Sequence, residues 1–263
     1  HARTHSHAQR ESKDMEIRAG PHIVALLPDR NGQWGGTCGS TLWCASQALV
    51  EWLSATAQEA LLQDIVRGRS VLELGAGLGL LGMFLGKAGA QRVALTDMPQ
   101  QLPLLERNVK ANFTSSGGCA ICVAALEWGV PNEAMLAQEW QMVVAADVVY
   151  DEEHMDGLAR TLNDLLHSPT SQSSLPRALL ALPDRTEFSH EREGHAVPDY
   201  ELLWELLATV SDGALKASRL ASISSEEAGT CDSRIDVWLV SHQSRKKKRA
   251  REAASPRGAG NER

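Results

Sequence analysis

Four glycines, Gly75, Gly77, Gly79 and Gly82, crowd into eight residues of the chain. They follow a short apolar run, Val71, Leu72 and Leu74, with Glu73 inside it, and they lead into Leu80, Leu81, Met83, Phe84 and Leu85. The pattern predicts a buried strand, a glycine-rich turn and a helix. Such a turn lets backbone approach a ligand closely, and its amides, backed by a helix N-terminus, can meet a carboxylate or a phosphate. Asp97 stands 20 residues beyond Gly77, after the apolar stretch AQRVALT. An acid there can accept the paired hydroxyls of a ribose; as a plain structural residue it would cap the next helix. Asp147 closes the run QMVVAAD, and Tyr150 follows three residues later. Two tryptophans complete the set. Trp43 lies near the start of GSTLWCASQALVEWL and Trp128 within LEWG. Each can pave a pocket or fill a core.

These residues need elements to hold them. Apolar spacing predicts an edge strand at 22–27 ended by Pro28, and a helix at 39–53 capped by Ser40 or Thr41. Further strands are expected at 90–96, 119–125, 141–147, 177–182, 216–224 and 235–240. Helices are expected at 98–112, 152–167 and 199–210. Strands and helices alternate, which implies an α/β fold with a mostly parallel sheet and helices on both faces. Asp97, Trp128, Asp147 and the glycine turn all fall at the C-terminal ends of strands, where such a sheet gathers its ligand. The ligand site is expected at that edge, near the switch point by the first strand. The expected organisation is a disordered lead-in over 1–20, one domain over 21–244 (extension 21–67, core 68–244) and a disordered basic tail over 245–263. The stretch 183–198 reads as a surface loop over the site mouth.

Composition narrows the class. The 263 residues are 43% hydrophobic and carry a net charge of −7. The last 19 residues hold eight basic and two acidic side chains, so the remainder carries −13. An acidic body does not suit nucleic acid and fits a basic partner surface better. The block RKKKRAR in the tail reads as a solvated tail or as a nuclear-import signal. Five cysteines in a chain this long do not suggest a disulfide framework, so a reducing, intracellular setting is expected. Cys119 and Cys122 form a lone C-x-x-C without a second pair for zinc, and they read as buried strand cysteines. His1, His5 and His7 lack the support a metal site needs. No metal is expected. No apolar run is long enough for a membrane span, and no leader stands at the start. The chain opens at His1 rather than methionine, as a processed or truncated product would.

The spelling ELGAGLG at 73–79, with an acid two residues before the first glycine, resembles motif I of the class I S-adenosylmethionine-dependent methyltransferases. Four blocks in order, STLWCAS, VLELGAGLGLLG with LTDMPQQLPLLERNVKAN, LEWG and AADVVYDEE, are similar to the seven-β-strand protein-lysine methyltransferases, the last resembling their D-x-x-Y motif. The resemblance runs over about residues 39–182. It implies a Rossmann-like, doubly wound, seven-stranded sheet with an antiparallel last strand, and S-adenosylmethionine as cofactor. It implies that Trp43, Gly75, Ala76, Gly77, Asp97, Trp128 and Ala146 line the cofactor site. Glu73 would approach the methionine ammonium, Asp97 would take the ribose hydroxyls and Trp128 would pack near the adenine. Asp147 and Tyr150 would face a substrate lysine. Cys44 departs from the family, which often has an acid after the tryptophan, and nothing after Leu182 matches.

The chemistry fits those residue types. Methyl transfer needs an in-line approach and a neutral amine. Free lysine has a pKa of about 10.4, and a nearby carboxylate raises that further. The role expected of Asp147 is therefore to bind and orient the cationic amine, with Tyr150 as an aromatic wall, before desolvation by the sulfonium and a closing loop favours deprotonation. The partner implied is a lysine-bearing protein, with no nucleic acid and no membrane, and the enzyme is expected to be a cytoplasmic monomer, nuclear if the tail directs import. A small-molecule methyltransferase and a non-catalytic scaffold of the same fold stay open as alternatives, with a nicotinamide enzyme behind them.

Overall fold

Val71 to Leu74 is apolar on both sides of the chain except at Glu73, and a strand with that spelling must be covered on both faces. The computed structural model of the chain describes residues 15–29, 32, 34, 38–113, 118–167, 175–185, 191, 192, 195, 196, 199–224 and 233–243. In chain order its elements are β1 (Met15–Ala19), β2 (His22–Leu26), α1 (Cys44–Ser54), α2 (Glu59–Val66) and β3 (Ser70–Leu74). Next come α3 (Leu80–Lys87), β4 (Arg92–Asp97), α4 (Leu102–Asn112), β5 (Ala120–Ala125), α5 (Glu133–Leu136), β6 (Met142–Ala146) and α6 (Glu152–His167). The chain continues with β7 (Arg177–Pro183), β8 (Glu191–Arg192), β9 (His195–Ala196), α7 (Asp199–Val210), β10 (Leu215–Ile223) and β11 (Ile235–His242).

The main sheet has seven strands in the order β10-β11-β7-β6-β3-β4-β5. β3 pairs in parallel with β4 and β6, and β4–β5 and β6–β7 are parallel too. β11 runs antiparallel to both β7 and β10. The doubly wound sheet with an antiparallel last strand is thus as expected. Side chains divide by strand alternation. Val71, Met142, Val144, Leu179 and Ala181 pack into a core with α1, α3 and α4, while Leu72, Leu74, Val143, Ala145, Leu180 and Leu182 pack into a second core with α6 and α7. Glu73 shares the parity of Val71, so its carboxyl enters the α3 side.

Several boundaries move. Residue 20, the expected end of the lead-in, falls inside a hairpin in which Met15–Ala19 pairs with His22–Leu26. That hairpin is a separate two-stranded sheet, not an edge of the main one. Neither Ser40 nor Thr41 caps α1: Trp43 holds the N-cap position and Cys38–Ser40 is a short 3-10 turn. Cys122 is exposed and Cys119 half-buried, because β5 is the open edge of the sheet. Cys44 is disulfide-bonded, which the cysteine count did not bring out. The tail 245–263, most of the 183–198 loop and His1, His5 and His7 lie outside the described residues. Among the described residues no helix is long and apolar enough to cross a membrane.

The hairpin is held to the site by two asparagines one turn apart on α4. Asn112 accepts from the Ala25 N–H at 2.9 Å and donates to the Ala25 carbonyl. Asn108, fully buried, accepts from the Leu27 N–H at 2.8 Å and donates to the Leu78 carbonyl at 3.0 Å. One side chain therefore ties an unpaired strand edge to the glycine turn. Truncating it orphans a buried donor and a buried acceptor, each worth about 1–3 kcal/mol. Asn108→Ala should lower the free energy of unfolding by at least about 2 kcal/mol, measured by urea denaturation, whereas the exposed Lys110→Ala should change it little.

Candidate functional site

The turn after β3 is built around its glycines. Gly75 and Gly77 sit at φ 61° and 54°, in the left-handed region that side chains rarely adopt. A Cβ on Gly75 would stand 3.1 Å from the Trp128 ring and from Val148, and one on Gly77 would stand 3.2 Å from the Gly39 carbonyl. Gln101, buried ahead of α4, clamps the two loops by donating to the carbonyls of Gly39 at 2.9 Å and Gly77 at 3.2 Å. Between them opens a small recess of about 30 Å³. Trp43, Glu73, Gly75, Ala76, Gly77 and Ala146, six of the expected cofactor residues, line it. Thr41, Leu42 and Ser46 line it as well, and sequence reasoning did not single them out as ligand residues.

Glu73 is the electrostatic centre of this recess. The carboxyl is almost wholly buried and its Oε2 accepts the Gly82 N–H at 2.9 Å. Burial pushes its pKa up to about 8, with the nearby Asp97 adding to the rise and the Gly82 bond opposing it. A cation entering the recess would offset that burial and favour the carboxylate. The buried Glu73 carboxyl is thus an acceptor that fits an α-ammonium group. Asp97 stands behind the turn, where Oδ2 accepts the Gly77 N–H at 2.8 Å and Oδ1 accepts the Met98 N–H at 2.7 Å. It does not cap a helix, since Met98 takes that position ahead of Pro99–Gln101. Each of its oxygens keeps a lone pair for a hydroxyl. Burial holds its pKa above the usual carboxylate range. Trp128 does not line the recess; its ring covers Gly75 from outside.

Beyond Ala146 the chain turns sharply. Asp147 has φ 60°, one of two non-glycine residues with positive φ among the described residues. Its N–H still pairs with the Ala181 carbonyl at 3.0 Å. Aspartate and asparagine tolerate this region better than other side chains, yet the conformation remains sparsely populated, and such positions cluster at functional sites. The carboxyl is buried, Oδ1 is bonded to the Arg185 guanidinium, and Oδ2 has no protein hydrogen-bond partner. Burial raises its pKa, and the Arg185 charge and hydrogen bond pull it back down. Arg185 was not singled out from the sequence, since no local pattern joins it to a residue 38 positions away. Tyr150 is half-exposed, with ring centroids 6.5 Å from both Trp128 and His154. The three rings form a row along the lip of the site.

The raised Glu73 pKa has a signed consequence. A carboxyl that titrates at about 8 when folded and near 4.5 when exposed holds its proton more tightly in the folded state. Its contribution to stability therefore declines as pH rises from about 4.5 toward 8. Glu73→Gln should remove that decline from the ligand-free protein. Thermal unfolding at pH 5 and pH 8 should show a smaller loss for the variant than for the wild type; parallel profiles would contradict the assignment.

Comparison with known proteins places the chain in a family. A family model described as lysine methyltransferase matches residues 29–191. The protein-lysine N-methyltransferase EFM6 of Saccharomyces cerevisiae is 33% identical over 166 residues, 56% of this chain and 66% of that protein. The EEF1A lysine methyltransferase 3 of Xenopus tropicalis is 37% identical over 105 residues, 40% and 45% of the two chains. Mouse METTL21A, a protein N-lysine methyltransferase, is 35% identical over 126 residues, 48% and 55% of the two chains. The matched stretch thus spans about half to two thirds of these relatives' lengths. Among solved structures, a proposed SAM-dependent methyltransferase from Streptococcus mutans superposes with a TM-score of 0.55 at 10% identity, over 90% of this chain and 57% of that one. It shares the fold.

Proposed function

The chain belongs to the lysine methyltransferase family, and from that membership we propose that it transfers a methyl group from S-adenosylmethionine to the side-chain amine of a lysine in a protein substrate. The observation that carries the reading is the junction at Ala146 and Asp147. Ala146 lines the recess that holds Glu73 and the glycine turn, and the next residue turns a buried carboxylate out of β6. Bound at the recess, the cofactor supplies an electrophilic methyl group on a sulfonium. Glu73 meets the amino-acid ammonium, the Gly75–Gly77 backbone gives room for the chain, and Asp97 accepts ribose hydroxyls. Trp43 walls the recess, and Trp128 backs the turn at Gly75.

Asp147 orients the incoming amine through Oδ2, and Tyr150 with its neighbouring rings forms the wall along which the lysine's methylenes lie. In that pose the amine's lone pair would face the methyl group that the bound cofactor supplies, and the proton that the acceptor nitrogen must lose would pass to solvent. No residue here need act as a strong base, because positioning and exclusion of water supply the rate. The acidic body favours a basic acceptor surface. The enzyme works as a monomer in the cytoplasm without a metal, and the RKKKRAR block offers a route to the nucleus.

Two measurements test the reading. S-adenosylhomocysteine should bind by calorimetry while NAD should not, and Asp97→Ala should weaken that binding by about 1–3 kcal/mol. Asp147→Asn keeps the shape and tolerates the same backbone, so it should fold and bind S-adenosylmethionine nearly normally. Its methyl transfer to protein should fall by about a hundredfold or more. A folded, saturated variant with normal turnover would overturn the role of Asp147, and NAD binding without S-adenosylhomocysteine binding would overturn the cofactor.

A further inference from the structure

Arg185 stands at the end of β7, two residues after Pro183, and reaches across to the turn after β6. One terminal nitrogen, Nη2, bonds Asp147 Oδ1. The other, Nη1, donates to the Val149 carbonyl at 2.6 Å. The guanidinium thus bridges the first and third residues of the D-V-V-Y turn. It leaves Asp147 Oδ2 buried and without a protein hydrogen-bond partner, and this is the oxygen to which the reading above assigns the acceptor amine. The pair is largely removed from water, the carboxylate side chain being 3% exposed and the guanidinium 20%.

A lone buried carboxylate would be a poor partner for this reaction. It would hold lysine as an ammonium ion, whose lone pair is occupied by a proton and cannot attack a methyl group. A carboxylate already paired with a fixed cation carries no net charge, but its second oxygen still accepts a hydrogen bond. Arginine suits the task because it stays protonated at any working pH. We propose that Arg185 cancels the charge of Asp147 so that the acceptor lysine docks on Oδ2 as a neutral amine, its lone pair left free. Arg185 is then a positioning residue acting through Asp147. The inference rests on the reading of Asp147 as the amine's contact.

No other described charge near the site replaces it. Asp184 is bound by Arg234 ahead of β11 at 2.5 Å, and Asp151 is met by His154 at the head of α6 at 3.1 Å. Asp97 at the end of β4 and Cys38 before α1, which with Asp147 and Asp151 act on the Tyr150 hydroxyl, are acidic groups. Glu73 lies on the cofactor side and is acidic as well. Every one of these, left uncompensated, would favour the ammonium form; Arg185 alone among them works against it from the Asp147 side.

The test uses the full chain and the acceptor protein labelled by it in a cell lysate, purified and supplied at saturation with S-adenosylmethionine. Under saturation the pH dependence of kcat reports groups in the bound complex. The wild-type acid limb should lie at least one unit below the value of about 10.4 for free lysine. In Arg185→Gln the amine and the unpaired carboxylate share a proton, so the limb should move up by a unit or more. The rate near pH 7.5 should then drop about tenfold or more and recover at high pH. Arg185→Lys, which keeps the charge, should hold the limb near its wild-type place. A readout independent of turnover is proton release. Acceptor binding to the S-adenosylhomocysteine complex, titrated near pH 9 in buffers of different ionisation enthalpy, should release a measurable fraction of a proton from the wild type and less from Arg185→Gln.

A rate loss in Arg185→Gln that is uniform across pH, with unchanged proton release, would mean that Arg185 only pins the turn and would overturn the inference. A wild-type limb at or above the free-lysine value would overturn it even if Arg185→Gln does not fold. Asp147→Asn run alongside separates the two levels. If that variant keeps full activity, the reading of Asp147 fails and the inference with it. If it is inactive while Arg185→Gln leaves the limb in place, the inference alone fails.

Discussion

The structure depends on one buried hydrogen bond, from the Gly82 N–H to the Glu73 carboxyl. Gly82 is the third residue of α3, and an amide at that position has no partner inside its own helix. A side chain at the N-cap would ordinarily accept from it. Here the N-cap is Gly79, which has no side chain to offer. Glu73, the next-to-last residue of the adjacent strand, supplies the acceptor instead. The contact is possible because position 82 is glycine: a Cβ there would lie 2.5 Å from the Glu73 Oε2 and 2.5 Å from Leu95. One carboxyl therefore fixes how close α3 lies to β3 and β4. The same carboxyl enters the recess, where it is poised for a cation.

The remaining parts of the site hang on that junction through polar side chains of α4 and the turn before it. Gln101 spans the two loops that wall the recess, and Asn108 joins the glycine turn to the hairpin. Asp97 meets the N–H of Gly77 from the end of the neighbouring strand. Backbone groups that the glycines leave without secondary-structure partners are thus taken up by side chains rather than by water. That arrangement gives a rigid cradle on one side. On the other side the strained turn at Asp147 is held by the ladder bond to Ala181 and by the Arg185 bridge. Cradle and turn belong to neighbouring central strands, β3 and β6, so the sheet sets their separation.

Much of this is legible in the sequence, for a physical reason. The central strands are covered on both faces, so they appear as apolar runs, and their ends carry the glycines and acids that no core would tolerate without partners. α6 and α7 fall at their expected limits because each has one apolar face. The hairpin strand Met15–Ala19 is harder to see, being five residues long with only Ile17 and Ala19 buried. α2 was missed for a similar reason, since only Ile65 and Val66 of its eight residues are buried. Asn108 is a polar residue of α4 that is nonetheless buried, because its partners are backbone groups at Leu27 and Leu78, far away in sequence. Arg185 is the clearest gap. An ion pair across 38 residues is decided by where β7 ends in space, and no spacing rule records that. The lifted pKa of Glu73 is equally invisible, since it follows from burial and from the closeness of Asp97.

The central claim is that this arrangement delivers a methyl group to a protein lysine. The most direct measurement is incubation of the protein with isotopically labelled S-adenosylmethionine and a cell lysate, followed by mass spectrometry of the labelled product. The account predicts label on the side-chain nitrogen of a lysine in a discrete protein, absent when the enzyme is omitted. Label found solely on small molecules, or no label above the enzyme-free control with the cofactor bound, would contradict it.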